Sequence, residues 1–177
     1  MSTLKVSTIE PLDSDTTKTI TIGNAGDTAA GVFTNTPIWR ATITSQTIAY
    51  NTDTKIDYNQ VIQDTNSAYD ATNKRFTVPS GMGGTYMVGA WFRIGSATNV
   101  EGFQIFPFVN GAVLDALERM QGAMFQGSYN TIQASAILQL AEGATLEMYA
   151  KQNEVNANFN IGYSDEGMFW GYKLIGG

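Results

Sequence analysis

Two strand-like segments around a turn, in residues 75–94, constrain the fold more than any other part of the chain. The first, Phe76-Thr-Val78, ends at Pro79, which has no N–H to donate to a sheet ladder. The second runs from Thr85 to Ile94 and is apolar at almost every position. A strand that is apolar on both faces is covered on both sides. We therefore expect one face to meet the core and the other to meet a subunit neighbour.

The rest of the chain from Pro37 onward repeats the pattern of strand, turn and strand. Apolar and polar residues alternate from Ile38 to Thr44, Asn110-Gly111 is a hairpin signal, and Ala141-Glu-Gly143 is a tight turn. Further strands are expected at residues 46–50, 55–62, 103–108, 113–120, 131–140, 144–151 and 168–175. Residues 113–120 also fit a short helix, but their strand neighbours favour a strand. About eight to ten strands without a long helix predict an all-β sandwich or barrel.

The N-terminal region is expected to be organised separately from this domain. Residues 1–22 contain two short extended segments, and residues 23–36 form a linker of small residues before the head domain, 37–177. Such a short piece cannot bury its own apolar face. It is either a loose tail or a docking stem that packs on the head, on its copies or on another protein. The stem residues would be Leu4, Val6, Ile9, Ile20 and Ile22.

Charge and hydropathy exclude several classes of partner. The 177 residues carry a net charge of −6, and the ten Lys and Arg residues are scattered along the chain. Nucleic-acid phosphates and anionic membrane surfaces both require a basic patch. No run of about 18 apolar residues is present, so we expect no membrane insertion.

Catalytic chemistry is hard to place on this chain. It has no His and no Cys, which excludes a Ser-His-Asp triad, a thiolate nucleophile and zinc sites built on these residues. Carboxylate pairs for glycan cleavage remain at Asp165-Glu166 and Asp53/Asp57, but their polar surroundings are typical of solvated loops. We therefore expect no enzyme activity.

No cofactor is expected, with calcium as the one possibility left open. Asp64, Asn66 and Asp70 are oxygen donors close together in the sequence, as calcium sites require. The favoured alternative is that these side chains cap their own turns.

Six motifs in order carry a resemblance to a known family. They are Pro37-Ile-Trp39, Arg75-Phe76-Thr-Val78-Pro79, Gly84-x-Tyr86, Val109-Asn110-Gly111, the stretch from Leu138 to Leu146, and Phe169-Trp170-Gly171-Tyr172. The head resembles the globular heads of complement and collagen trimers, within the tumour-necrosis-factor-like jelly rolls. The resemblance implies a ten-stranded jelly-roll sandwich that assembles as a homotrimer. Two departures are a longer turn between Pro79 and Gly84, and Ala144 where the family often has Asp, so no calcium ligands can be carried over.

The aromatic residues also favour an oligomer. Trp91-Phe92 and Phe169-Trp170 occupy adjacent strand positions that face opposite ways, and a sandwich has one interior. Either a threefold interface covers the outward rings, or they are ordinary core residues with a few exposed neighbours. For the trimer axis we predict Tyr86, Phe103, Phe169 and Tyr172.

The N-terminal segments resemble the openings of structural proteins from marine and cyanobacterial tailed phages, tail fibres in particular. Residues 3–11 and 19–28 carry this resemblance. We therefore expect a virion protein: a trimeric tail-fibre or spike tip for host attachment, held by other virion proteins through the stem. Loops 64–73 and 152–160 would contact a host surface glycan or protein. The alternatives are a capsid decoration or head-fibre protein and, third, a bacterial extracellular binding module.

Overall fold

The protein is described here from a computed structural model, which covers residues 37–95, 102–114, 120–122, 129–153, 159–162 and 166–174. The predicted stem, with Leu4, Val6, Ile9, Ile20 and Ile22, and the linker 23–36 lie outside the described residues. Every regular element in the described residues is a β-strand. The strands are β1 (Ile38–Ile43), β2 (Gln46–Ile48), β3 (Thr54–Lys55), β4 (Tyr58–Asp64), β5 (Tyr69–Asp70), β6 (Arg75–Thr77), β7 (Gly84–Ile94), β8 (Phe103–Val109), β9 (Ala112–Val113), β10 (Met120–Gly122), β11 (Asn130–Leu140), β12 (Thr145–Gln152), β13 (Phe159–Ile161) and β14 (Gly167–Lys173).

These strands form two antiparallel sheets that pack as a sandwich, as the sequence predicts. In the first sheet, β7 lies between β11 and β14, and β1 lies between β14 and β4. The second sheet has the order β10-β8-β12-β6-β5, with β3 paired to β12 and β9 paired to β8. The segments outnumber the ten expected strands partly because long strands are interrupted. For example, β13 and β14 pair with successive parts of β7.

The core lies between the sheets and depends on strict alternation along β7. Tyr86, Val88, Ala90, Phe92 and Ile94 are buried, and the residues between them face away from the core. The same alternation holds on the neighbouring strand, β11, where every second residue points inward. One face of each strand therefore joins the core, and the other face forms the outside of the sheet.

Trp39 joins the two sheets at the centre of the core. Its indole is fully buried, stacks on Phe76 of the second sheet at 3.7 Å and 9°, and meets Phe169 edge-on at 5.6 Å. Gly171 lies across the strand pair from Trp39, and a Cβ there would come within 2.2 Å of the indole. Glycine is thus required at position 171 because the ring fills the space that a side chain would occupy.

The turns follow the predicted chemistry. Asn110 and Gly111 have φ of 52° and 77°, as a two-residue hairpin turn of type I′ requires. The turn at 141–143 also forms, and its Glu142 accepts hydrogen bonds from the Ser80 hydroxyl at 2.6 Å and the Gly81 amide at 3.0 Å. The unusually long turn between Pro79 and Gly84 is therefore stabilised by hydrogen bonds to the neighbouring hairpin turn. Of the segment 113–120, residues 115–119 lie outside the described residues.

Candidate functional site

The outer face of the first sheet carries large apolar side chains on neighbouring strands. Outward-facing Trp91 of β7 pairs with Met168 of β14, and Met87 pairs with Tyr172. On the other side of β7, Ile137 of β11 is directly opposite Met87. We call this surface the apolar face, and it consists of Met87, Trp91, Ile137, Met168, Trp170 and Tyr172.

A glycine allows the largest ring of the apolar face to lie flat on the sheet. Trp170 pairs with Gly89, and a Cβ at position 89 would lie 2.4 Å from the indole. The indole therefore covers the backbone of β7 and stacks with Tyr172 at 6.2 Å and 15°. Beside these rings, between β14 and β1, is an open groove of about 280 Å³. Ile38, Arg40, Met168, Trp170 and Tyr172 line it.

The apolar face is exposed in a single copy. Ile137 is 65% exposed and Tyr172 is 40% exposed, while its four other members are half-buried. Polar residues surround it: Thr85 donates a hydrogen bond to Gln139 at 2.9 Å, and Arg93 pairs with Glu166. A contiguous apolar patch with a polar rim is characteristic of a protein–protein interface.

The residues predicted for the trimer axis separate into two groups. Tyr86, Phe103 and Phe169 have no exposed surface in one copy, so they are core residues, which corrects the expectation that they face a neighbour. Tyr86 donates a hydrogen bond to the Met82 carbonyl at 2.7 Å, and Phe103 packs edge-on against Phe92 at 6.1 Å. Tyr172 lies on the apolar face, and its role in an interface stays a prediction.

Sequence reasoning named the two outward tryptophans but did not choose them for the axis. Trp91 and Trp170 each follow or precede a core phenylalanine, so one residue of each pair had to point outward. Met87, Ile137 and Met168 were missed. The same two-residue alternation places all of them on one face of their strands. It shows that this face is the outer one only when the core residues on the opposite face are known.

The acidic residues considered for calcium are hydrogen-bonded to their own loop. Asp64 accepts from the amides of Asn66 at 3.3 Å and Tyr69 at 2.8 Å. Asp70 accepts from the amides of Thr72 and Asn73, both at 2.9 Å, and from the Asn73 side chain at 2.6 Å. The Asn73 side-chain hydrogen bond is the main cause that lowers the pKa of Asp70 below its ordinary value. These contacts fit the turn-capping interpretation; in the described part of the chain no cluster of three or more acidic residues is arranged to hold a metal ion.

Three of the four carboxylates that could serve in catalysis are described, and each of the three faces a cation. Asp53 lies 3.5 Å from the Lys151 ammonium, and Asp57 lies 3.1 Å from that of Lys74. Glu166 pairs with Arg93, and Asp165 lies outside the described residues. Such pairs stabilise surface loops modestly, and among the described members of these pairs each carboxylate has a cationic partner.

Comparison with known structures identifies the fold. The vertex protein P5 of PRD1 superposes with a TM-score of 0.56 at 11% identity, covering 82% of this chain and 99% of P5. Murine APRIL gives 0.54 at 14% identity, over 79% of this chain and 100% of APRIL. The globular domain of the zebrafish complement 1qA protein gives 0.53 at 11% identity, over 78% and 97%. The head is a jelly roll of the tumour-necrosis-factor and complement type.

Comparison by sequence does not assign the chain to a family, since no protein-family model matches it. An uncharacterized protein, YqcC of Bacillus subtilis strain 168, is 33% identical over 69 residues, which are 39% of this chain and 18% of YqcC. The chain thus spans less than a fifth of that relative. Among the described residues there is no helix long and apolar enough to span a membrane.

Proposed function

We propose that the chain is a non-enzymatic virion protein of a tailed phage that acts as a homotrimer. Three heads associate through the apolar face, and the N-terminal stem attaches the trimer to other virion proteins. The role we favour is a tail-fibre or spike tip that binds the host surface. The observation that carries this proposal is the apolar face, which one copy of the chain leaves uncovered.

A second copy of this chain fits the apolar face. Ile137 projects from β11 at one edge of the first sheet, and the groove beside Trp170 lies about 12 Å away on the same face, at about 4.8 Å per strand. When the projecting side chain of one copy enters the groove of the next, the contact is heterologous, and a rotation of one third of a turn closes it. The polar rim around Arg93 and Gln139 then stays in water.

The fold comparison supports a virion location, because the vertex protein P5 of PRD1 has the same fold over 99% of its solved chain. The proposed absence of catalysis is supported by the lack of His and Cys and by the ion pairs of Asp53, Asp57 and Glu166. The N-terminal resemblance to tail-fibre openings points to the tail.

A capsid-decoration or head-fibre role is the second candidate, and the similarity to a vertex protein favours it. In that role the same trimer would stabilise the particle shell. Gold labelling of whole phage particles with antibody against this chain separates the two roles. A tail-fibre tip predicts label on the tail, whereas a capsid-decoration or head-fibre protein predicts label on the head. Label on neither part would contradict both roles.

The trimer itself is tested by the solution mass of the purified chain. One copy is 19.2 kDa, and light scattering should report three times this value. A mass of a single copy at micromolar concentration would contradict every form of the proposal.

A further inference from the structure

A second surface feature lies away from the apolar face. Residues 66–70, which end in β5, form the first wall of an open cleft of about 430 Å³, and residues 77–80, which begin at the last residue of β6, form the second wall. Both segments belong to the second sheet and its loops, so the assembly proposed above leaves the cleft open. Its volume falls within the range of about 300–1,000 Å³ that is typical of small-ligand sites.

Both walls of the cleft are held in place before any ligand arrives. The Thr77 amide donates to the Ala68 carbonyl at 2.8 Å and so ties one wall to the other. Asp64 and Asp70 cap the first wall through the amide contacts described above, and Ser67 adopts a left-handed φ of 51°. On the second wall, Ser80 is held by Glu142. A preformed cleft saves the ordering cost of binding.

The cleft offers polar groups of both kinds. Among the described residues, the side-chain nitrogen Nδ2 of Asn66 and the hydroxyls of Ser67 and Thr77 make no hydrogen bond to protein. The Asn66 nitrogen can therefore donate to a ligand, and the two hydroxyls can donate or accept. Asp70 and the Ser80 oxygen retain lone pairs that can accept hydrogen bonds. None of the described residues that line the cleft is Lys or Arg.

The rest of the cleft consists of apolar side chains and of an acidic side chain that influences which ligand charge is tolerated. Ala68 and Pro79, which are half-buried, add carbon surface between the polar groups. Asp70 is in the lining, where it lies opposite Arg75 on the neighbouring strand, and Glu142 accepts hydrogen bonds from the Ser80 hydroxyl of the second wall and the Gly81 amide. With two carboxylates to one guanidinium, the charge around the cleft disfavours an anionic ligand. The ligand that matches is uncharged, rich in groups that both donate and accept, and partly apolar.

We infer that this cleft binds a neutral saccharide of one or two sugar rings. A sugar ring carries hydroxyls around its edge and C–H groups on its faces, which match the mixed lining. The inference rests on the proposed function, because it names the chemical class of the host-surface ligand. The region agrees with loop 64–73 of the sequence prediction; of the other predicted contact loop, residues 154–158 lie outside the described residues.

The test is saturation-transfer NMR on the purified full chain. The probes are maltose, cellobiose, lactose, mannobiose and chitobiose, with sialyllactose as the acidic member. We expect binding of at least one neutral disaccharide and none of sialyllactose. Thr77→Val removes one hydroxyl without changing shape and should weaken binding about fivefold. Asn66→Asp keeps the acceptor that Thr65 contacts but loses the amide donors, and should abolish binding.

A matched control comes from the strand next to β6. Thr145 pairs directly with Thr77 and faces the same side, but it does not line the cleft, so Thr145→Val should bind as the natural chain does. Equal weakening by both valine variants, or no response to any neutral probe, would overturn the inference.

Adhesion to host cells, measured in parallel with fluorescent protein, separates this inference from the proposed function. If Thr77→Val and Asn66→Asp both leave adhesion unchanged, the protein binds host cells but does not use the cleft to do so. Disaccharide binding that depends on the cleft, without adhesion to cells, would do the reverse.

Discussion

Replacement of Ile137 by Glu should dissociate the trimer without unfolding the head. Full burial of an isoleucine side chain contributes about 1.5–3 kcal/mol. Ile137 is 65% exposed in one copy, so its cover by a neighbour would contribute about 1–2 kcal/mol, or about 3–6 kcal/mol over three copies. At 1.4 kcal/mol for each factor of ten, the trimer association constant should fall by about 10²–10⁴. A buried carboxylate in the contact lowers it further.

Light scattering over a dilution series measures this effect, and thermal unfolding of the same samples checks the fold. Ile137 faces outward on β11, so the substitution should change the stability of one copy by less than about 1 kcal/mol. Val113→Glu is the matched control, because Val113 is 41% exposed on β9 of the second sheet. An Ile137→Glu variant that stays trimeric on dilution, or a Val113→Glu variant that dissociates equally, would show that Ile137 does not lie in the trimer contact.

Four further substitutions, one of them a control, test the core and the loops. Trp39→Ala should lower the unfolding free energy by about 3–5 kcal/mol in denaturant titrations, because it empties the centre of the core, while Tyr129→Ala, 57% exposed, should cost less than about 1 kcal/mol. Asn73→Ala should raise the pKa of Asp70 towards its ordinary value, and an NMR titration that finds no change would contradict the assigned cause. Burial raises the pKa of Tyr86 to about 12, so the stability that its neutral phenol provides is present below about pH 10 and is lost as pH rises through 12. Tyr86→Phe should reduce that alkaline loss without removing it, because burial also raises the pKa of Tyr58 and Tyr69. Unfolding curves between pH 10 and 12 would show the difference.

Local sequence signals predicted most of the strands. Pro79 ends a strand because it cannot donate, and Asn110-Gly111 turns the chain because both residues tolerate positive φ. The apolar run from Thr85 to Ile94 became an eleven-residue strand, β7. These signals act over a few residues and therefore survive without knowledge of the partners.

The candidate interface was predictable only in part. Alternation showed that Phe169 and Trp170 face opposite ways, but it could not show which of them faces the core. The pairing of Trp170 with Gly89, and of Trp39 with Gly171, decides this, since each ring needs a glycine on the neighbouring strand. Those neighbours are distant in sequence, so the choice of Phe169 for the trimer axis was wrong.

Local patterns alone predict an all-β sandwich or barrel, the positions of the tight turns and the lack of chemistry based on His or Cys. The folded structure adds which face of each strand is buried, that Trp91, Trp170 and Ile137 share one exposed surface, and that two loops enclose a cleft. The two kinds of information differ in the range over which residues act on each other. Turn and strand preferences depend on adjacent residues, whereas a face or a cleft exists only after strands far apart in sequence have paired in one register.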